Sequence, residues 1–91
     1  MKYIVVRHRI AGTSTVQDLP FIFPLDIVHL KMFEQMNSLL GKDAHVIAAG
    51  EVQFSVKAPF CFGHSSSLDA SSRGTKDAEL MYFHDCTHGL E

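Results

Sequence analysis

The stretch from Leu25 to Leu40 (LDIVHLKMFEQMNSLL) constrains this chain most, because a proline precedes it, a glycine follows it, and its apolar residues recur at helical spacing. Leu25, Val28, Met32, Met36 and Leu39 or Leu40 fall about one turn apart, and Ile27 and Phe33 widen the stripe. That period marks a helix with one buried side. Pro24 suits the first helical position, Asp26 puts negative charge in the first turn, and Gly41 suits the left-handed stop. Such a helix needs a layer to lie on, and His45–Lys57 (HVIAAGEVQFSVK) offers one. Val46, Ala48, Gly50, Val52, Phe54 and Val56 alternate with residues that turn polar after Ala49, the period of a half-buried strand. We expect the first set to face the core. The small residues around Gly50 point to a bulge or a close approach of the helix.

The remaining segments fit around this pair. Lys2–Arg9 (KYIVVRHR) is β-branched and aromatic on both sides, as a strand covered on both faces would be. Gly12–Asp18 is a polar loop. Leu19–Phe23 lies before Pro24 and contains Pro20, which limits it to a short edge strand or extended connector. Ala58-Pro59 turns the chain into a short return strand, Phe60–Gly63, and the serine-rich Gly63–Thr75 reads as an irregular loop anchored by Leu68. Thr75 can cap a second helix at about 76–85, with Asp77 and Glu79 in its first turn. The expected fold is α+β: a small, mostly antiparallel sheet of 3–4 strands on one main helix (about 25–40) and a shorter C-terminal helix.

Ninety-one residues suit a single domain over 1–89, and the closing Leu90-Glu91 reads as a cloning scar. The net charge of −2 offers no basic excess for a phosphate backbone, so nucleic acid is not the expected partner. No secretory leader or membrane-length apolar run stands out, which points to a cytoplasmic protein with Cys61 and Cys86 reduced.

Several clusters could carry chemistry. Cys61-x-x-His64 and His84-x-Cys86-x-His88 supply zinc-type ligands, and Cys61, His64, His84 and Cys86 would make a four-ligand site. The spacing follows no common zinc module, and a buried Cys61 can equally be a small hydrophobe, so no cofactor is the primary expectation. Gly63-His64-Ser65-Ser66-Ser67 departs from the nucleophile elbow at its last position and lacks the large α/β sheet that the elbow needs. No catalytic residue is assigned. Serines in such a loop commonly satisfy their own backbone. The alternative is anion recognition by Ser65, Ser66, Ser67, Ser71, Ser72 and Arg73 beside a helix N-terminus, with His29 and His64 completing a ligand set. His29 interrupts the apolar helix face and could instead bond a sheet carbonyl. Finally, the edge-like Leu19–Phe23 and the surplus aromatics Phe21, Phe23, Phe54, Phe60, Phe62, Phe83, Tyr3 and Tyr82 suit a protein-interaction module, unless all these rings lie in one core. Its partner would be itself, as a homodimer, or another protein.

Phe23-Pro24 through His29, the strand Val46–Val52, Cys61-Phe62-Gly63-x-Ser65-x-Ser67-Leu68, Ser72-Arg73 and Asp77-Ala78-Glu79-Leu80 together resemble a family of small uncharacterised phage- and plasmid-type bacterial proteins. The resemblance runs from Phe21 onward, with one extra residue between Arg73 and Asp77. It implies a mobile-element accessory protein of the bacterial cytoplasm and brings no activity.

Overall fold

A computed structural model of the chain describes residues 1–10, 12–40, 44–55 and 58–81. Its elements run β1 (Lys2–Arg9), β2 (Val16–Phe23), α1 (His29–Leu40), β3 (His45–Phe54), β4 (Pro59–Phe62), β5 (His64–Ser65) and β6 (Ala70–Ser71), followed by a short helix, α2, over 75–81. The four longer strands form one antiparallel sheet in the order β2-β1-β3-β4, and β5 pairs with β6 in a separate hairpin. This is the expected α+β architecture. Among the described residues, no helix is long and apolar enough to cross a membrane.

β1 is central and apolar on both sides because both sides are covered. Tyr3, Ile4, Val5 and Val6 are all fully buried, and burying an aliphatic side chain of this size contributes roughly 1.5–3 kcal/mol. Ile4 and Val6 join Phe23, Ala44 and Ala49, with Met32 and Phe33 of α1 packed on them. Tyr3 and Val5 point the other way, into a cluster with Ala48, Val52, Cys61 and Met81.

Four features differ from the sequence reading. α1 begins at His29, four residues later than the periodicity predicts. Residues 24–27 form a turn instead, closed by Ile27 N–H donating to Pro24 O at 3.2 Å. The helical ladder opens with Met32 N–H on Val28 O at 3.1 Å, which makes Val28 the N-cap, a residue with no hydroxyl to offer. Ser67 supplies it from a distant turn, its Oγ accepting from Leu30 N–H at 3.3 Å. Leu25 and Val28, expected on the buried stripe, are exposed, as is Leu39 at 77%. The stripe that does bury is Met32, Phe33 and Met36.

The second difference is parity along β3. Val5 pairs with Ala48 but Val6 pairs with Val46, so Ile47 is an extra, bulged residue. A bulge flips which side chains face which side. Val46 therefore joins the α1 face while Ile47, Ala48 and Val52 share the other. Gly50 lies further along the strand and serves close approach: a Cβ there would meet Phe62 O at 2.4 Å and Ser72 Cβ at 3.2 Å. Val56 and Lys57, predicted to continue the strand, lie outside the described residues.

Third, the serine-rich segment is folded. Its β5–β6 hairpin turns through residues 66–69, with Asp69 in the left-handed region at φ 51°, which an aspartate tolerates better than most residues. β2 also begins three residues before the expected edge segment, at Val16.

Candidate functional site

The serines act on backbone first. Ser65 is buried; its Oγ accepts from Leu68 N–H at 3.3 Å and lies 3.2 Å from Ser67 Oγ. With Ser67 capping α1, these hydroxyls fix the 65–68 turn against the helix start. His29 sits beside that start, buried, its ring edge-on to Phe23 with centroids 5.4 Å apart. Its Nε2 lies 2.9 Å from Gly50 O. A carbonyl only accepts, so Nε2 carries the proton, and the histidine ties α1 to the sheet as a bond to a sheet carbonyl would.

The proposed ligand set does not gather in one place. Ser65, Ser67 and His29 meet at the start of α1, whereas Arg73 works on the opposite face of the sheet, and His64 is exposed in β5 opposite Ser71. For the zinc reading, the Cys61 Sγ is buried 3.6 Å from Met81 Sδ, and burial, then the charge of Asp77, push its thiol up to about 11. A thiol so disfavoured as thiolate is a poor nucleophile at neutral pH. His84, Cys86 and His88 lie outside the described residues. Among the described residues, no three His, Cys, Asp or Glu side chains are grouped to hold a metal.

Arg73 belongs instead to a buried polar network that sequence reasoning missed. Asp77, fully buried at the start of α2, accepts from Arg73 Nε at 2.7 Å, from Arg73 backbone N–H at 2.8 Å, and from the Tyr3 hydroxyl at 2.5 Å. A phenol has one proton and a carboxylate only accepts, so Tyr3 donates to Asp77. Ser72, 2.7 Å from the same phenol oxygen, is then the donor to it, and accepts from Gly74 N–H at 3.0 Å. Burial, then the Asp77 bond, hold the Tyr3 hydroxyl far above the usual phenol range. The first ladder bond of α2 runs from Ala78 N–H to Gly74 O at 3.0 Å, so Gly74, not Thr75, is its N-cap. The spacing of Arg73 and Asp77 by four was the readable signal; the Tyr3 partner, 74 residues away, had none.

Nearby, Arg7 grips Asp18 across β1 and β2 with two bonds of 2.8 and 3.0 Å. The Arg7 bond holds the Asp18 carboxyl below its ordinary range, helped by the charges of Arg7, Arg73 and His45.

Both outer strands are blunted by proline. Met1 and Val52 exchange backbone bonds, 2.8 Å from Val52 N–H and 3.4 Å from the Met1 amine. Alternation from that pair turns the backbone groups of Tyr3 and Val5 toward β3, and those of Ile4 and Val6 toward β2. Pro20, opposite Val5, therefore aims its donorless nitrogen outward at the middle of β2. By the same count Glu51 and Gln53 bond Phe62 and Phe60, so Pro59 and Cys61 face outward on β4. A missing donor at each edge opposes strand addition, which was the expected role of Leu19–Phe23.

Aromatic surface is exposed elsewhere. At the tip of the β3–β4 hairpin, Phe54 is 50% and Phe60 61% exposed, and Phe60 stacks on Phe62 with centroids 5.6 Å apart. Ser55 Oγ closes this tip, donating to Ala58 O at 2.7 Å and accepting from Ala58 N–H at 3.3 Å. Phe54 pairs with Pro59 and Phe60 with Gln53, so the two rings project from opposite faces of the ribbon. Comparison with protein-family models, curated proteins and solved structures gave no match to this chain.

Proposed function

We propose that this chain is a noncatalytic protein-interaction module that binds through the tip of the β3–β4 hairpin, with a second copy of itself as the simplest partner. The observation that carries the reading is Phe54 and Phe60, both half-exposed or more on a tip that Ser55 closes. Aromatic rings carry large contact area on few rotatable bonds and anchor interfaces well. Side-chain docking is favoured over strand addition by the outward prolines at Pro20 and Pro59. Asp77 and Ser65 spend their hydrogen bonds inside the fold, and Arg73 Nε is bound to Asp77, which gives catalysis no support. The resemblance to phage- and plasmid-type proteins supports an accessory role in bacterial cytoplasm.

Light scattering across a concentration series tests the reading. The wild-type chain is expected to exceed the monomer mass at tens of micromolar, and Phe60→Ser to return it to monomer with its circular dichroism unchanged. A wild-type monomer at millimolar concentration, or a Phe60→Ser variant that associates as well as wild type, overturns it.

A further inference from the structure

β1 to β4 hold one another through backbone ladders, whereas α2 is fastened to them through side chains: Asp77 to Tyr3, and the Cys61 thiol against the Met81 sulfur. The chain enters α2 through Ser72, bonded to Tyr3, and Gly74, which has φ +62° and nothing within 4 Å of where a Cβ would lie. Ala78, Leu80 and Met81 cover the cluster of Tyr3, Val52 and Cys61. Short helical segments depend on such packing, and the Tyr3–Asp77 bond ties this one to the sheet. We propose that segment 74–81 is a hinged strap that swings open about Gly74 while the sheet and α1 stay folded, uncovering Cys61 and the apolar face around Val52, with the Tyr3–Asp77 bond as its latch. Partial openings of this kind occur below the free energy of global unfolding. The closed state protects the thiol behind Met81, and the open state presents an apolar face distinct from the hairpin tip.

Alkylation of the native full-length chain by iodoacetamide over a urea series tests the strap. Trypsin cleavage after Lys57 and Arg73 isolates Cys61 in peptide 58–73, apart from Cys86, so mass spectrometry reads each thiol separately. Cys61 is expected to react at least about ten-fold faster than global unfolding allows, with little urea dependence below the main transition. Tyr3→Phe removes the latch hydroxyl and keeps the ring; it should speed Cys61 alkylation by a further factor of about ten with the sheet's circular dichroism intact. Met81→Ala should act in the same direction without touching the polar network, and stands in if Tyr3→Phe fails to fold. The strap is overturned if Cys61 alkylation shares the urea slope of global unfolding, or if both variants change it only as much as they change global stability.

Discussion

On one face of the sheet, α1 lays Met32 and Phe33 over Ile4, Val6 and Ala49; on the other, a single turn of polar groups around Asp77 locks α2 over Tyr3 and Cys61. The first cover is made of volume and tolerates imprecision, since apolar contacts are non-directional. The second depends on a few directed bonds to a buried carboxylate, where each missing partner leaves another unsatisfied. One face should therefore weaken in proportion to the volume removed, and the other according to which polar atom is left alone.

The largest separation of the two faces is expected from Asp77→Ala, which strands the Tyr3 hydroxyl and the Arg73 backbone N–H and guanidinium in or near the core. Urea unfolding should show a loss of about 3–5 kcal/mol, far above what its few side-chain atoms would predict from area. A loss below about 1 kcal/mol would erase the contrast. Ile4→Ala, on the α1 face, should cost roughly 2–5 kcal/mol, in step with the cavity left and with no polar group stranded. Refilling by Val should recover most of it.

The two faces should also separate with pH. The folded Cys61 thiol is raised to about 11 from an ordinary value near 9.0. Its stabilising share is complete below the ordinary value and is lost as pH climbs through the raised one. The urea midpoint should fall between about pH 9 and 11, and Cys61→Ala should flatten that decline; an unchanged slope would remove the thiol from the account. The smallest effect belongs to Asp18, whose carboxyl is lowered by the Arg7 bond. Its contribution is present above the ordinary carboxylate range and lost as pH falls through the lowered value. Because the pair is partly in solvent, Asp18→Asn should trim the acid-side decline only slightly, and less in high salt.

Much of the α1 face was legible beforehand. The stripe of Met32, Phe33 and Met36, the two-sided burial of β1 and the alternation of β3 from Ala48 to Val52 are local periodicities, written by neighbours a few residues apart. His29 as a tie to a sheet carbonyl was legible too, since a histidine on an apolar face needs a partner. The start of α1 was not, because its cap comes from Ser67, 37 residues on. Nor was the bulge at Ile47, which only the pairing of β1 with β3 defines and which moved Val46 to the other face. Of the candidate site, the sequence offered Ser65, Ser67 and Arg73 as one ligand set; the fold sends the serines to α1 and Arg73 to Asp77.

Side-chain order along the chain determined that there would be strands, an amphipathic helix and a sheet with two apolar sides, because periodicity is a property of consecutive residues. Tertiary structure alone decided which polar atoms meet. The Tyr3 hydroxyl finds Asp77 across 74 residues, and a hydrogen bond depends on distance and angle in space, to which spacing in sequence gives no guide.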